Sequence, residues 1–592
     1  MASFDIGDKS SVIGRSMNDI EKYGDKATAY FGKSVMSSGE KPVLGRKILI
    51  DIAKPHVMLI CGKRGGGKCL DGDTLITLED GSLIKIKNLE QDTKKIMALN
   101  NNFKIQKAEK TNFYKRKVNK MLEITLASGK KIKLTPEHPL LTKKGWAQAK
   151  DIKLNTRIAT QKKICEKQNI IENINSNQKQ LQIKKQIQGD VHWDEIKEKK
   201  KLEGNFQVYD LTVPKFHNFV ANDIIVHNSY SMAVLIEEFA RQPIDIRKRL
   251  SVIVIDTVGI FWSLKLPTKQ GIKELEKWDL KPEKTDVRVL VPKGKLDFYK
   301  KKEIPIDGAF TLRVSELETA EWMSLFKLSW KDPEAILLSR IVDEVKEKLG
   351  TLYGLDELIT AAKNDNESEK NTRDGIAGRF RAAKTWGLFE KEGTKIKEIA
   401  KPATITIIDV SAYRQAVGME GTRDVIVGLL GKRLFEERML YRKEEEIRQT
   451  KGLTRESDLP IIWMMIDEAH MFMPKDEDSF ALSVLLEWVR VGRQPGLSLL
   501  LATQRPNKLH PDAISQCDLF ISHRMTAQPD IDAVAQLRPS YLHQDFDKYY
   551  QEMPRAKGYA LVLDDQSEKL WLIKVRPRFS WDAGVTASAF KN

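Results

Sequence analysis

Four glycines and a closing lysine lie together in residues 62–68, directly after the apolar run 57–60. Glycine lets backbone N–H groups approach a phosphate closely, and a lysine can reach the β- and γ-phosphate oxygens of a nucleotide. The segment consists of Gly62, Lys63, Arg64, Gly65, Gly66, Gly67 and Lys68. A phosphate-binding loop of this kind requires Ser or Thr next, to hold Mg²⁺ at the start of a helix. Cys69 follows instead, so the motif is incomplete at this point.

The missing hydroxyl residue occurs much later in the chain. Ser229 opens the helix-like segment 230–241, and deletion of residues 69–228 would join Lys68 to Ser229. The joined sequence reads G-x-x-x-x-G-K-S, a complete Walker A motif that opens a helix. We therefore interpret residues 69–228 as an insert and its flanks as one split ATP-binding domain. In the joined loop, residues 62–68 and Ser229 would bind ATP, and Ser229 would also bind Mg²⁺.

The two ends of the insert carry groups that can exchange acyl bonds. Cys69 supplies a thiol at the first position, Asn228 an amide at the last, and the Ser229 hydroxyl follows immediately. Protein self-splicing needs a nucleophile, an asparagine and a second nucleophile at these three positions. The motifs by which the insert resembles the Hint family, which includes inteins, are Gly72-Asp73, Thr135-Pro136-Glu137-His138, residues 208–213, and residues 217–222 leading to His227-Asn228.

Acyl-transfer chemistry gives the first residues of the insert their roles. The Cys69 thiol attacks the Lys68 carbonyl and converts the amide into a thioester, which divides one difficult step into easier ones. Thr135 and His138 polarise or protonate the scissile amide. The resemblance to inteins implies that Asp210 assists the middle steps.

The residues at the far end of the insert complete the reaction. The Ser229 hydroxyl takes the acyl group as a branched ester, and Asn228 cyclises onto its own carbonyl and releases the insert. His227 and His217 serve as proton donors or acceptors. The ester then rearranges to a Lys68–Ser229 peptide bond without an external cofactor. No LAGLIDADG endonuclease motif occurs in the insert, so we predict a mini-intein that does not cut DNA.

Polar residues also follow two apolar, strand-like runs of the flanking sequence. Asp467 and Glu468 end the run 461–466. In a P-loop ATPase the aspartate supports Mg²⁺, and the glutamate orients or deprotonates the attacking water. Gln504 ends the run 497–503 and suits a sensor of the γ-phosphate.

Arginines near these runs are candidates for a finger that stabilises the transferring phosphoryl group. We expect Arg493 to have this role, and the other candidates are Arg490, Arg505 and Arg524.

Residues around these acidic, amide and arginine side chains resemble the HerA–FtsK superfamily of hexameric translocases, in particular archaeal HerA-like ATPases. The segments that carry the resemblance are Asp467-Glu468-Ala469-His470, Gly492-Arg493-Gln494, residues 502–506 and residues 515–518. The resemblance covers about 46–68 and 229–575. It implies a RecA-like core, ATP hydrolysis between the subunits of a homo-hexamer, movement of double-stranded DNA, and a nuclease partner. The segment before residue 46 is too short for the β-barrel that such proteins usually carry there.

Three other functions remain open for the flanking domain. A viral or plasmid genome-packaging ATPase would use the same motifs. An ATP-gated scaffold would bind ATP without translocation, and DNA-stimulated hydrolysis distinguishes it from a motor. A chain that fails to splice would persist as an inert interaction protein.

Hydrophobic periodicity predicts the elements that position these residues. The insert shows short alternating runs with Gly turns, which is typical of an all-β module. The flanks alternate apolar strands with helices, which indicates a parallel α/β sheet covered on both faces. The predicted domains are an N-terminal mobile arm (1–45), the first strand and P-loop of a RecA-like ATPase core (46–68), a Hint mini-intein (69–228, with a linker or loose helix over 161–204), a continuation of the core (229–314), a helical insertion (315–400), the core with Walker B and sensor (401–575) and a C-terminal tail (576–592).

Composition limits the classes of protein. The net charge is +17, but the insert carries 30 Lys and Arg against 19 Asp and Glu, and the flanks carry 69 against 63. Charge is therefore a weak argument for nucleic-acid binding by the flanks. The four cysteines show no paired spacing, which argues against a disulfide framework or thiolate metal site. With no signal peptide and no long apolar run, we expect a cytoplasmic protein without a membrane segment.

Overall fold

The computed structural model describes residues 10–37, 42–62, 70–80, 82–91, 95–99, 105–108, 111–135, 139–142, 145–149, 152, 154–161, 191–212, 231–269, 271–413, 421–453, 459–525, 528–535, 549–550, 552–554 and 558–583. In these residues the flanks of the insert form an α/β domain with a large sheet, and the insert forms an all-β domain. The fold class predicted from the sequence is confirmed.

The strands, in chain order, are β1 (Ser10–Ile13), β2 (Thr28–Ser37), β3 (Val43–Asp51), β4 (Val57–Cys61), β5 (Leu70–Asp71), β6 (Leu75–Thr77), β7 (Leu83–Lys85), β8 (Ile96–Leu99), β9 (Ile105–Ala108), β10 (Thr111–Leu126), β11 (Lys131–Leu134), β12 (Pro139–Thr142), β13 (Gly145–Gln148), β14 (Arg157–Gln161), β15 (Val191–Thr212), β16 (Leu250–Asp256), β17 (Arg288–Pro292), β18 (Gly308–Phe310), β19 (Leu312–Arg313), β20 (Phe389–Glu390), β21 (Ile405–Asp409), β22 (Ile461–Ile466), β23 (Leu497–Thr503), β24 (Leu519–His523), β25 (Tyr559–Asp564) and β26 (Lys569–Val575).

One sheet of the described residues contains all but two of the strands outside the insert. Its 13 strands lie in the order β1-β3-β2-β26-β25-β24-β4-β23-β22-β16-β21-β17-β18. From β24 to β18 all neighbouring strands are parallel. Because parallel strands end at a common edge, the loops after β4, β23 and β22 are adjacent.

The central strands are apolar along their whole length because the sheet is buried on both faces. In β4, Val57 and Leu59 pack into one hydrophobic cluster, and Met58 and Ile60 pack into a second cluster on the opposite face. Strands covered on both faces have continuous apolar sequences rather than alternating ones. Burial on both faces accounts for the continuous apolar runs that end at the predicted site residues.

Helices connect the strands and cover the sheet. They are α1 (Met17–Tyr23), α2 (Met232–Ala240), α3 (Ile244–Arg247), α4 (Ile272–Glu276), α5 (Leu296–Lys301), α6 (Thr319–Phe326), α7 (Pro333–Leu349), α8 (Leu355–Asn364), α9 (Lys370–Thr385), α10 (Ile396–Ile399), α11 (Thr422–Thr450), α12 (Phe480–Val491), α13 (Pro511–Ser515) and α14 (Gln528–Ala535). No helix within the described ranges combines the length and apolar character that crossing a bilayer requires.

Helices α6 to α10 form the helical insertion between β19 and β21. Its core is aromatic: Trp322 is fully buried, with the rings of Phe326, Phe380 and Phe389 centred 5.0 to 5.5 Å away. Such ring pairs add to the energy of apolar burial. The insertion therefore has a packed core of its own, continuous with one core of the sheet.

The N-terminal region is not the arm that we expected for residues 1–45. Strands β1, β2 and β3 extend the main sheet, and β3 crosses the predicted boundary at residues 45 and 46. The pairing of β2 with β3 contains three register shifts, near Gly32, Val35 and Ser37. Each shift reverses which side chains face the core, so the sequence shows no sustained two-residue periodicity.

The C-terminal tail predicted over 576–592 is also wrong for residues 576–583, which we call the C-terminal strap. Arg576 is fully buried, and its guanidinium lies 2.7 Å from a carboxylate oxygen of both Glu237 and Glu238 on α2. Phe579, three residues later, is also buried. A charged segment resembles a solvated tail in the sequence, but carboxylates from a distant helix compensate its burial.

The insert has a sheet of seven strands in its described part, in the order β10-β11-β5-β15-β14-β12-β13. Its longest strands, β10 and β15, pair in antiparallel fashion along most of their length. The linker predicted over 161–204 is therefore wrong for residues 191–204, which belong to β15, whereas 162–190 lies outside the described residues. Lys and Glu occupy both faces of β15 around residues 197–203, and this composition hides the two-residue pattern of a strand.

Candidate functional site

Strand β4 leads into the predicted phosphate-binding loop. Its first residue, Gly62, has a φ of 144° and donates its N–H to the Thr503 carbonyl at 3.3 Å. A Cβ atom at this position would collide with the side chain of His523 on the neighbouring strand β24. Only glycine fits this combination of backbone angle and close approach. The remaining loop residues, 63–68, lie outside the described residues.

The predicted catalytic acids follow β22, two strands away from β4 in the sheet. Asp467 is buried and donates its backbone N–H to the Ile255 carbonyl of β16. Its position at the carboxyl edge, with a hard oxygen donor, suits a Mg²⁺ ligand beside the nucleotide. Asp467 and Ser229 are the residues predicted to hold Mg²⁺, and Ser229 lies outside the described residues.

Glu468 is held in an uncommon conformation. Its backbone is left-handed, with φ 51° and ψ 46°, which costs a non-glycine residue about 1–3 kcal/mol. The Gln504 side chain donates a hydrogen bond to the Glu468 carboxylate. Because β22 and β23 are adjacent parallel strands, Glu468 and Gln504 follow them at the same edge, and the structure brings the predicted base and the predicted sensor into contact. Strained residues of this kind cluster at functional sites.

His470 is a third polar residue at this site, and it was not among the predicted site residues. Its Nδ1 lies 3.0 Å from the Thr503 hydroxyl and 3.6 Å from the Glu468 carboxylate. Burial, together with the nearby Arg505 guanidinium, lowers the pKa of His470 to about 4. The ring is therefore neutral at physiological pH and adds no positive charge beside the Glu468 carboxylate. In the sequence, the position of His470 two residues after Glu468 was the feature that could have identified it.

Arg493 lies far from these residues within one chain. It precedes β23, whereas Gln504 follows that strand, so the two lie at opposite edges of the sheet. Seven strand residues separate these edges by about 23 Å. The Arg493 guanidinium donates to the Gln516 carbonyl at 3.0 Å and lies 3.4 Å from Asp518. At this distance the Arg493 side chain does not reach a nucleotide bound at the carboxyl edge of the same chain.

The other arginine candidates have different surroundings. The Arg490 guanidinium pairs with Asp512 at 2.5 Å, and that of Arg524 donates to the Met553 carbonyl at 2.9 Å. Arg505 is the candidate beside the carboxyl edge, because its charge acts on the half-buried His470.

A pair of carboxyl groups, also absent from the sequence predictions, lies at the same edge. Asp256 and Asp409 end the adjacent strands β16 and β21, where they are register partners. Burial and the repulsion of Asp409 raise the pKa of Asp256 to about 8, and burial also raises the pKa of Asp409. Asp256 accepts four backbone N–H bonds from residues 258–261, so it organises the loop after β16. In the sequence, an Asp at the end of an apolar run was the feature that could have identified each of the two.

The start of the insert lies between two of the predicted splicing residues. Leu70, directly after Cys69, pairs with Leu134 of β11 and with Tyr209 of β15. Thr135, which is buried, follows Leu134, and Asp210 follows Tyr209 in β15. The sheet therefore places the chain neighbours of three predicted splicing residues beside one another. The predicted residues outside the described part are Cys69, His138, His217, His227, Asn228 and Ser229.

No group of three or more His, Cys, Asp or Glu side chains in the described ranges is arranged to hold a metal ion by itself. At phosphate sites Mg²⁺ usually takes ligands from the nucleotide as well as from the protein.

Two protein families match consecutive parts of the chain. Residues 76–228 match the family described as intein splicing domain, and residues 229–433 match the central domain of the helicase HerA. The junction of the two matches falls between Asn228 and Ser229, which is also the predicted splice junction.

Curated relatives resemble limited parts of the chain. The DNA double-strand break repair helicase HerA of Pyrococcus furiosus is 31% identical over 150 residues, which cover 23% of this chain and 26% of the relative. The probable HerA helicase of Methanocaldococcus jannaschii is 32% identical over 123 residues, 18% of this chain and 24% of the relative. The chain thus spans about a quarter of the length of these relatives. A crystallised DnaB intein from Synechocystis sp. PCC 6803 is 30% identical, covers 28% of this chain and 99% of its own, and has a TM-score of 0.21.

Proposed function

We propose that this chain, which matches the intein splicing domain and the central domain of the helicase HerA, is the precursor of a HerA-like ATPase that excises residues 69–228 and joins Lys68 to Ser229. The spliced product is a P-loop ATPase that uses ATP and Mg²⁺ to translocate double-stranded DNA. The observation that carries the proposal is the restored Walker A motif at the junction, together with the carboxyl edge where Glu468 contacts Gln504.

Splicing proceeds by four bond exchanges. The Cys69 sulfur attacks the Lys68 carbonyl carbon, so the Lys68–Cys69 amide breaks, a thioester forms, and the Cys69 nitrogen takes up a proton. Thr135 and His138 stabilise the carbonyl oxygen and supply this proton. The Ser229 oxygen then attacks the thioester, and the Cys69 thiol leaves.

The second half releases the insert. The Asn228 side-chain nitrogen attacks the Asn228 carbonyl, which breaks the peptide bond to Ser229 and leaves a cyclic imide on the insert. His227 and His217 transfer the protons, and Asp210 assists the preceding transfer. The freed Ser229 amine then attacks the ester carbonyl and forms the Lys68–Ser229 amide. The pairing of Leu70 with Leu134 and Tyr209, which are the chain neighbours of Thr135 and Asp210, supports this assignment.

The site residues of the spliced host act on ATP at the carboxyl edge. Residues 62–68 and Ser229 bind the phosphates, and Ser229 with Asp467 holds Mg²⁺, which neutralises charge on the phosphate oxygens when bound. Glu468 accepts a proton from the attacking water, and Gln504 senses the γ-phosphate by exchanging its hydrogen bond with Glu468.

Arg493 supports an assembly of several subunits. At the opposite edge from Gln504, it can reach only the nucleotide of a neighbouring copy, as an arginine finger acts in trans. A homo-hexameric ring with a nuclease partner is the assembly that the resemblance to HerA implies. In mixed assemblies, Arg493→Ala and Glu468→Gln subunits should restore part of the turnover, because one interface then has both functional residues. No restoration would place Arg493 outside the catalytic interface.

Mass spectrometry of the expressed chain tests the first step. A 592-residue precursor should give a 432-residue host and a 160-residue insert, and Cys69→Ala or Asn228→Ala should abolish the ligated host. Ligated host from either variant would refute the assigned chemistry. Steady-state ATP turnover of the purified host, with and without duplex DNA, tests the second step. Turnover without DNA stimulation would favour an ATP-gated scaffold, and dependence on the DNA ends of a viral or plasmid genome would favour a packaging motor.

A further inference from the structure

A lysine-rich segment follows β17 at the carboxyl edge of the main sheet. Residues 293–302, the lysine segment, contain five lysines and one aspartate, which gives a net charge of +4. The lysines are Lys293, Lys295, Lys300, Lys301 and Lys302. All except Lys295 are exposed, and the Phe298 side chain between them is 56% exposed. Such a density of positive charge contrasts with the nearly balanced charge of the flanking sequence as a whole.

Most of this charge is not neutralised by the residues that the structure describes. Lys293 pairs with Glu390 at 2.6 Å, and both side chains are largely exposed. Lys300, Lys301 and Lys302 make no ion pair with any residue that the structure describes. An exposed lysine cluster without acidic partners raises the local potential and attracts polyanions.

The backbone of the lysine segment is fixed on the domain. The N–H of Gly294 donates to the Gly387 carbonyl at 2.8 Å, and a Cβ atom on Gly294 would collide with the Trp386 carbonyl oxygen. At the other end, the buried Tyr299 hydroxyl donates to the Asp409 carboxylate at 2.9 Å. The lysines near Tyr299 therefore extend from a preorganised helix, α5, and ligand binding does not require ordering of the backbone.

We propose that the lysine segment binds the phosphate backbone of duplex DNA. This inference rests on the proposed DNA translocase function and names the surface that meets its substrate. The phosphates of DNA attract the exposed ammonium groups of Lys300, Lys301 and Lys302, and binding releases the counterions of the DNA. The apolar Phe298 ring, exposed between the lysines, packs against the sugar, which is the other backbone element that proteins contact.

The lysine segment is also connected, through a series of side chains, to the residues at the carboxyl edge of the sheet. Tyr299 bonds to Asp409, Asp409 is the register partner of Asp256, and the charge of Asp467 acts on Asp256. A DNA contact at the lysine segment therefore lies on the same edge of the sheet as the predicted Mg²⁺ ligand.

The experiment measures binding of a fluorescent DNA duplex to the spliced host by anisotropy over a series of salt concentrations. The triple variant Lys300→Ala, Lys301→Ala and Lys302→Ala should bind more weakly, with the log–log salt slope smaller by about 3, one per lost phosphate contact. The matched control removes Lys273, Lys281 and Lys284, which are exposed and precede β17 at the opposite edge. Its slope should equal that of the wild type.

Each outcome decides a different point. If the wild-type host does not bind duplex DNA, the proposed function fails and this inference with it. If the wild type binds and the triple variant keeps its salt slope, only the lysine segment is excluded as the contact. A loss of Mg-ATP affinity with unchanged DNA binding would identify a nucleotide site instead and overturn the proposal. A second triple variant, with arginine at the same positions, retains the charge and should retain the slope even if the alanine variant unfolds.

Discussion

Removal of the Arg576 side chain should loosen the helix that follows the splice junction. In the spliced host, α2 begins three residues after Ser229 and is held by the C-terminal strap. The Arg576 guanidinium pairs with Glu237 and Glu238, and it also donates to the Val234 and Tyr30 carbonyl groups. The substitution Arg576→Met keeps most of the side-chain volume but removes all of these ion pairs and hydrogen bonds.

The size of the effect follows from the burial of the ion pair. Arg576 and Glu237 both have 0% exposed side chains, so neither charge can be hydrated when its partner is lost. Removal of one member of a buried pair costs about 3–5 kcal/mol. Glu237 retains hydrogen bonds from the Ser580 N–H and hydroxyl, which places the expected cost towards the lower figure.

Hydrogen exchange of the α2 amides, followed by mass spectrometry, measures this change locally. A cost of 3 kcal/mol accelerates exchange through opening of α2 by about 150-fold, and 5 kcal/mol by several thousand-fold. The control Arg448→Met removes a part-exposed arginine that pairs with Glu444 at the end of α11, and it should cost less than about 1 kcal/mol. The double variant Arg576→Met with Glu237→Gln should lose less free energy of unfolding than the two single variants together, by about 1–3 kcal/mol.

Two results would refute this reasoning. If Arg576→Met exchanges α2 amides no faster than Arg448→Met does, the buried pair does not hold the helix. If the effects of Arg576→Met and Glu237→Gln are additive, the two charges do not act on each other. Either result would also remove the physical reason given for the burial of the strap.

Three further predictions concern catalysis, splicing and pH. In the spliced host, Glu468→Gln should retain ATP binding and lose turnover by about 10²–10⁴-fold, measured by binding and steady-state assays, because an amide cannot accept the proton of water. The precursor, trapped by alanine at both ends of the insert, should bind Mg-ATP weakly and turn over no ATP, whereas Lys68→Ala should splice to an inactive host; equal turnover of precursor and host would contradict this. Burial lowers the pKa of His56, but the Asp518 carboxylate, hydrogen-bonded at 2.6 Å, and the Asp51 carboxylate, 3.6 Å away, outweigh it and raise the pKa to about 9. Protonated His56 therefore contributes its full stabilisation below about pH 6.5, and this stabilisation is lost as the pH rises through 9. The urea midpoint of the host should fall over this pH range, and that of His56→Gln should not.

Continuous apolar runs were sufficient to predict the strands of the main sheet. Strands β22 and β23 coincide with the apolar runs 461–466 and 497–503. Burial on both faces leaves little choice of residue type, so such runs are unambiguous. The N-terminal strands could not be predicted in this way, because the register shifts of β2 and β3 disrupt their pattern.

The site residues differ in how far the sequence could specify them. Glu468 and Gln504 were both expected at strand ends, but their contact depends on β22 and β23 being neighbours, which no local pattern encodes. The position of Arg493 at the opposite edge likewise depends on the direction of β23. His470 and Asp256 were missed because a single His or Asp at a strand end has no distinguishing spacing.

The sequence by itself determined the residue order from which the junction chemistry is predicted, since a nucleophile, an asparagine and a restored Walker A motif are properties of order along the chain. It also determined which segments become buried strands, because apolar composition acts locally. Only the tertiary structure decided which strand ends meet, that the first and last segments of the flanking chain complete the sheet, and that Arg576 is buried against α2. These outcomes depend on pairing between residues hundreds of positions apart, where backbone hydrogen bonds and buried charges act irrespective of sequence distance.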